Sequence, residues 1–276
     1  MSKKQKTLHG IIYFAALIWG AITLLPLVVT VLSSFKNNTE IYNGTFTLPE
    51  VWRVENYARA ADVANALVSI RNSLLLAVGT VILVSIIGMM SAYILSRKRL
   101  FFIKPISILF MLGIMIPIHC TIIPISSMAT QFNTKNSYFF LLLIYVTFNL
   151  AQAIFIYNGF LNGVDRELDE AAIIDGCSDV SLLLRILVPV CKPALATQAI
   201  FVFVYAYGEL IFSLTLISDY AKFTVARSLL AFTGEHATTL GPQFAFMVMA
   251  MIPTVILYLV FHEQVESGML SGAVKG

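Results

Sequence analysis

Few side chains in this sequence are placed to do chemistry, and the most informative group is not a catalytic one. Glu170-Ala171-Ala172-Ile173-Ile174-Asp175-Gly176, followed by Ile186, Pro189 and Pro193, sets acids, small residues and helix breakers in a row. Leu168, Ala171, Ala172 and Asp175 fall at i, i+3, i+4 and i+7, so a helix here carries one face of mostly small side chains that another surface can approach closely. Glu209 is an isolated acid in an apolar run, with Tyr205 and Tyr207 just before it. A charge in hydrocarbon costs on the order of 2–3 kcal/mol or more, so it must face protein or a water-filled path. There it either hydrogen-bonds a hydroxylated solute or holds a neighbouring helix. His119 follows Pro117, where an interrupted helix could admit water.

Catalytic and metal-binding patterns are missing. The sequence has no G-x-x-x-x-G-K-[ST] phosphate loop and no Ser-His-Asp or Cys-His set assignable to one face. His9, His236 and His262 have no partners at metal-ligand spacing. Cys120, Cys177 and Cys191 form no C-x-x-C pair, and their odd number argues against a disulfide framework. The expectation is a chain that is not an enzyme and holds no metal or cofactor of its own. No basic patch interleaves with aromatics, so nucleic acid is not an expected partner.

The elements that position these residues follow from the charge pattern. The chain is 58% hydrophobic and 12% charged, about half the charge of a soluble domain. Lys and Arg, Asp and Glu are absent from Lys6 to Lys36, Arg71 to Arg97, Lys104 to Lys135, Lys135 to Asp165 and Glu235 to Glu263; Glu209 alone falls between Lys192 and Asp219. Each gap exceeds the roughly 20 residues that carry a helix across a bilayer. The reading is an all-α membrane protein forming a single transmembrane domain, with six spans near 11–34, 72–96, 105–128, 138–161, 194–217 and 243–262. Arg97, Lys98, Arg99 and Lys104 mark the connection after the second span as cytoplasmic, and Arg166, Arg185 and Lys192 mark the one after the fourth. Both termini then lie in the cytoplasm, and the first span is a retained anchor.

Residues 162–193 form the longest cytoplasmic connection. Asn162-Gly163 ends the fourth span, and Asp165, Glu167 and Asp169 suit the start of a new helix. Gly176 stops it. A second short helix begins after Ser178 or Asp179, with Val180, Leu183, Leu184 and Leu187 as an apolar stripe, and Pro189 and Pro193 end it and turn the chain back. Such a loop could be a docking surface. It could equally be an interfacial connector with its leucines on lipid headgroups and an Arg166–Glu170 pair in water.

The Glu-Ala-Ala run, the glycine after three intervening residues, and the Ile and Pro beyond resemble the signature of the permease subunits of binding-protein-dependent ABC importers. Ser34-Phe35-Lys36, Leu48-Pro49, Glu55-Asn56-Tyr57, Asn72-Ser73, Ala92-Tyr93 with Arg97, Ile116-Pro117 and Ile123-Pro124 extend the likeness to the carbohydrate branch. Gly268 with Gly272-Ala273-Val274-Lys275-Gly276 is similar to the tail of the second permease of maltose-type importers. Val164-Asp165, Cys177 and Tyr207-Gly208-Glu209 depart from the family's usual Ile-Pro, Ala and Trp-Asn-Glu.

The resemblance implies a type I importer permease fold in a bacterial or archaeal cell membrane, with residues 162–193 as the coupling loop. It implies that Glu170, Ala171, Ala172, Asp175 and Gly176 meet an ATPase subunit that carries ATP and Mg, and that Ile186 and Pro189 anchor the second helix to the membrane domain. Glu209, Tyr205, Tyr207 and His119 become candidates for the solute path. The implied partners are ABC ATPase subunits, a second permease in a heterodimer, an extracytoplasmic solute-binding protein and the lipid bilayer. The implied cargo is a sugar or oligosaccharide. The alternatives are a non-sugar solute carried by the same mechanism, or an ion-coupled secondary transporter, for which Glu209 is the only intramembrane acid available.

Overall fold

Long apolar runs without breakers become long helices because in hydrocarbon every backbone N–H and C=O must find its partner within the segment. The computed structural model describes the backbone of residues 3–99, 101–233 and 239–273, and the side chains of residues 9–99, 101–233 and 239–262. Among these residues all regular structure is helical. Four helices are long and apolar enough to cross a membrane, over His9–Ser33, Ala66–Arg97, Tyr138–Leu161 and Leu240–His262; the number reaches six if each of two bent helix pairs is one span.

The chain divides into two compact units, one of residues up to Leu67 with Ser228–Ile252, the other of Val68–Arg227 with the chain from Pro253 onward. In the first unit α1 (Lys3–Ser33) is followed by α2 (Asn38–Asn43) and α3 (Glu55–Val63). The apolar window of α1 buries none of its residues within the chain, as befits a surface meant for lipid or another subunit. The Ser34-Phe35-Lys36 and Glu55-Asn56-Tyr57 motifs form a staple here. Ser34 Oγ lies 2.8 Å from the Tyr57 hydroxyl, and Asn56 Nδ2 donates to the carbonyls of Ser34 and Lys36. Phe35 packs on Trp52 and Tyr57. The Lys36 ammonium is fully buried and donates to Gly44 O at 2.8 Å and Thr47 Oγ1 at 3.2 Å. Gly241 approaches this staple so closely that a Cβ would clash with Lys36 O. Gly241-Pro242, which reads as a turn in the sequence, lies inside the helix that begins at Leu240; a proline fits the first turn, where its missing N–H has no partner to lose.

The second unit holds α4 (Ala66–Arg97, from Val68), α5 (Ile103–Met115), α6 (Ile122–Gln131) and α7 (Tyr138–Leu161). Gly88 of α4 faces Ala153 and Tyr157 of α7, and a Cβ there would sit 3.1 Å from the Tyr157 ring. A small residue thus lets two membrane helices close together. The third expected span, 105–128, is a broken one: α5 and a second segment, Ile118–Gln131, meet at 92°. Pro117 makes the break because it cannot continue the hydrogen-bond ladder. Gly113 and Pro124 add no further break; they lie inside α5 and in the first turn of α6.

Candidate coupling surface and solute path

Asp165 caps α8 (Arg166–Ile174), its carboxylate accepting from Glu167 N, and Glu167 and Asp169 face the positive end of the helix. Gly176 stops α8 in the left-handed region at φ 82°; Gly176 N donates to Ile173 O and Cys177 N to Ala172 O, the paired bonds of a Schellman turn. Ser178 Oγ accepts from Ser181 N and starts α9 (Asp179–Ser181).

The next turns differ from the expected α-helical stripe. Leu182–Leu187 is a π-helix, continued by α10 (Val188–Val190). Its wider turn buries Leu182, Leu183 and Leu187 and leaves Val180 and Leu184 exposed. A proline clashes with the carbonyl four residues earlier, and a wide turn just ahead of Pro189 relieves that clash. Pro189 therefore does not end the helix, and it is exposed, whereas Ile186 is partly buried against the core. The chain turns at Cys191, where Asp179–Val190 meets α11 (Lys192–Gly208) at 78°.

Ala172 also departs from the expected face. It packs inward with Leu182, Leu183 and Leu187 against Met89, Ala92 and Tyr157. Glu170, Ala171, Ile173, Ile174, Asp175 and Gly176 are exposed, with Ile174 85% open. Two neighbouring exposed isoleucines leave an apolar strip open on a polar helix, and periodicity alone did not single them out. Arg166 does not pair with Glu170; its guanidinium donates to Ser96 O at 3.0 Å, at the negative end of α4.

The end of α4 is tied to this segment at several points. Arg97 Nε lies 2.7 Å from Asp169 Oδ2, with both side chains largely buried, and Arg97 Nη2 donates to Val164 O. The Nε–H is not directed at the carboxylate, and Asp169 Oδ1 has no hydrogen-bond partner among the described residues. Losing one partner of a buried pair of this kind typically costs about 3–5 kcal/mol, since the other charge is left uncompensated. Further along, Lys98 Nζ meets both Asp179 oxygens at 2.7–2.8 Å, and the Tyr93 hydroxyl donates to the same carboxylate. The Lys98 hydrogen bond, then the Tyr93 one, holds Asp179 below the usual carboxylate range, and Asp179 raises Lys98 in turn.

Glu209 sits where α11 stops. Its carboxylate caps α12 (Ile211–Leu216), accepting from Phe212 N at 2.8 Å and Ser213 N at 3.2 Å, and it also accepts the Tyr145 hydroxyl at 2.8 Å. The fifth expected span, 194–217, is therefore broken at Glu209, and the acid satisfies the backbone that the break frees. An open cavity of about 380 Å³ is lined by Ile118, His119, Val204, Tyr205, Glu209 and Ile211, among others. Its wall includes Tyr205, whose buried hydroxyl has no hydrogen-bond partner among the described residues. Tyr207 is not part of it: it is buried and stacks on Phe203.

At the other end of these helices Asn72 Nδ2 donates to the carbonyls of Ala221 and Phe223, and Ser73 Oγ accepts from Val225 N. Asn136, at φ 61°, accepts from Ser218 N and Asp219 N through its side chain, while its carbonyl accepts from Lys222 Nζ. The connection after α12 is thus fastened to the starts of α4 and α7.

A family model described as "Binding-protein-dependent transport system inner membrane component" matches residues 84–271, which include all of α7 to α12. The chain belongs to this family. It is a membrane component of a transport system rather than an enzyme. The permease is 31% identical to a multiple sugar-binding transport system permease protein of Streptococcus mutans, with all of both chains covered. It is 29% identical to a diacetylchitobiose uptake system permease protein of Streptomyces coelicolor, over 94% of this chain and 86% of the relative. It is 27% identical to a melibiose/raffinose/stachyose import permease protein of Bacillus subtilis, over 99% of each. In fold it matches a chain from the crystal structure of a bacterial ABC transporter involved in the import of the acidic polysaccharide alginate, with a TM-score of 0.81 and 19% identity over 95% of this chain and 98% of that one. The type I permease fold expected from the Glu-Ala-Ala loop is the fold of this chain.

Within this permease the structure brings Glu170, Ala171, Asp175 and Gly176 to one exposed surface, and Glu209, Tyr205 and His119 to one cavity; Ala172, Tyr207 and Pro189 stand apart. Sequence reasoning missed Asp169 and Arg97 as a pair, although each adjoins a recognised motif. Of the tail, residues 274–276 and the side chains from 263 onward lie outside the described residues, as does His236.

Proposed function

We propose that this permease imports a sugar or oligosaccharide and is driven by separate ABC ATPase subunits that hold ATP and Mg. The exposed face of α8 is the contact for one ATPase subunit, with Glu170, Ala171, Asp175 and Gly176 joined by Ile173 and Ile174. The observation that carries this reading is the combination of an exposed apolar pair on an acid-capped helix with a rigid inner face packed on the membrane core. Leu182, Leu183 and Leu187 turn inward onto the core, while Ile173 and Ile174 turn outward.

In this reading the 162–193 connection and both termini are cytoplasmic, a solute-binding protein delivers cargo from the other side, and a second, different permease completes the pathway. The cargo is read from the relatives, of which one is named for multiple sugars and two for oligosaccharides. The wall of Tyr205, Glu209 and His119 supplies an aromatic face and polar groups of the kind that suit a hydroxylated ring.

The test is reconstitution of the permease with its ATPases, second permease and binding protein in vesicles, using raffinose, diacetylchitobiose and maltotriose as labelled probes and a dipeptide as control. Uptake of at least one oligosaccharide that requires ATP and survives collapse of the proton gradient is the expected result. Uptake that stops with the gradient but ignores ATP overturns the mechanism, and uptake of the dipeptide alone overturns the cargo.

A further inference from the structure

A lever moves only what it is fastened to. Segment 164–179 is continuous in sequence with α7 and α11, so any push on α8 reaches those two spans through the chain itself. The second span has no covalent link to it. Yet the last turn of α4 is fastened to this segment at both ends of α8 and in its middle. Arg166 reaches Ser96 O and Arg97 reaches Val164 O at the start; Arg97 meets Asp169 midway; Lys98 and Tyr93 hold Asp179 beyond the glycine turn.

We infer that the Arg97–Asp169 pair is a positioning device that makes α4 move with the coupling helix, so that force entering at α8 reaches a third span. This rests on the reading of α8 as the ATPase contact. Three observations support it. Asp169 immediately precedes Glu170 but points away from the exposed face, so it contributes to fastening rather than docking. The pair is buried, so water and salt screen it little and it resists shear. It is also incompletely hydrogen-bonded, with Asp169 Oδ1 unpartnered and the Arg97 Nε–H misdirected, in a chain that otherwise satisfies α8 at both termini. Apolar residues of similar volume often stabilise as well as a buried ion pair or better. A charge pair retained in that setting fixes the relative placement of the two helices.

The test compares wild type with Asp169→Asn, Arg97→Gln and the exchanged pair Arg97→Asp/Asp169→Arg in the reconstituted complex. The probe is whichever of raffinose, diacetylchitobiose and maltotriose the wild type carries fastest. Solute moved per ATP hydrolysed is the deciding reading, because simple loss of folded protein lowers both rates and leaves their ratio unchanged. Each single variant is expected to assemble with the ATPases, to hydrolyse ATP within about twofold of wild type, and to lose about tenfold in the ratio; the exchanged pair is expected to regain at least threefold. Asp169→Asn is nearly isosteric and carries the test if the arginine variants do not assemble. A wild-type ratio in Asp169→Asn overturns the inference. So does loss of hydrolysis and uptake in parallel across the assembled variants. Failure of the importer reading looks different: the wild type itself would show no ATP-dependent uptake.

Discussion

Tyr145 of α7 donates its hydroxyl to Glu209 at 2.8 Å, and the same carboxylate caps α12. One intramembrane acid thus joins two spans and closes the backbone break in one of them, while its side chain also borders the open cavity. The structural role is the one with three hydrogen bonds behind it. Glu209→Ala strips the cap, worth about 1 kcal/mol, and leaves the Tyr145 hydroxyl buried without an acceptor, worth about 1–3 kcal/mol. The expected loss is about 2–4 kcal/mol, or several degrees in a thermal melt of the purified permease. Glu209→Gln keeps a carbonyl acceptor and should melt well above the alanine variant. Equal melting of the two would show that the carboxylate does not hold the break.

Gly176 answers to a different cause. No atom lies within 4 Å of a Cβ built there, so its freedom is needed for φ 82° and not for space. The left-handed region costs an L-residue roughly 1–2 kcal/mol, and asparagine tolerates it better than other side chains. ATP-driven uptake should fall in the order Gly176→Asn, Gly176→Ala, Gly176→Val, with asparagine nearest to wild type. A valine variant as active as wild type would mean that the turn adopts another conformation in the working complex.

What was legible in the sequence was whatever is written in long runs or in backbone exceptions. Tyr138–Leu161 is bounded by turn-forming residues, and the Schellman turn is written in one glycine. The third and fifth spans were harder. Pro117 announces a break but not a 92° one, and no proline or glycine pattern says that a carboxylate at position 209 can replace the missing backbone partners. The π-turn at Leu182–Leu187 splits the expected stripe, burying Leu183 and Leu187 with Leu182 but not Val180 and Leu184, because the helix there is wider than the 3.6-residue period. Arg97 and Asp169 are far apart in sequence and each reads locally as a topology marker or a helix-start acid. Only tertiary packing brings them together.

The Lys98–Asp179 tie sets a pH window. Asp179 lies below its ordinary value, so its contribution is present above about pH 4 and is lost as pH falls through the lowered value. Lys98 lies above its ordinary value, so its contribution is present below about pH 10 and is lost as pH rises through the raised value. Between those limits both groups stay charged. Lys98→Gln should therefore lower solute moved per ATP by a constant factor, about two- to threefold, from pH 5.5 to 8.5. Both side chains are largely open to water, so the factor should shrink in high salt. A factor that changes across this pH range would place another titrating group in the tie.

Asn136 separates backbone from side chain. Its φ of 61° is a conformation that asparagine and glycine accept, and its side-chain oxygen accepts the amides of Ser218 and Asp219. Asn136→Gly keeps the backbone and removes those bonds together with the side chain's contact to the Ser218 hydroxyl; Asn136→Ala removes them and adds strain. In the proposed topology this connection faces the solute-binding protein, and a loosened surface pays an ordering cost when a partner docks. Half-maximal stimulation of ATP hydrolysis should then need about three- to tenfold more binding protein in Asn136→Gly, with the unstimulated rate unchanged, and the alanine variant should also melt lower. If Asn136→Gly is stimulated as readily as wild type while Asn136→Ala melts early, the asparagine serves the turn alone and the fastened connection is no docking platform.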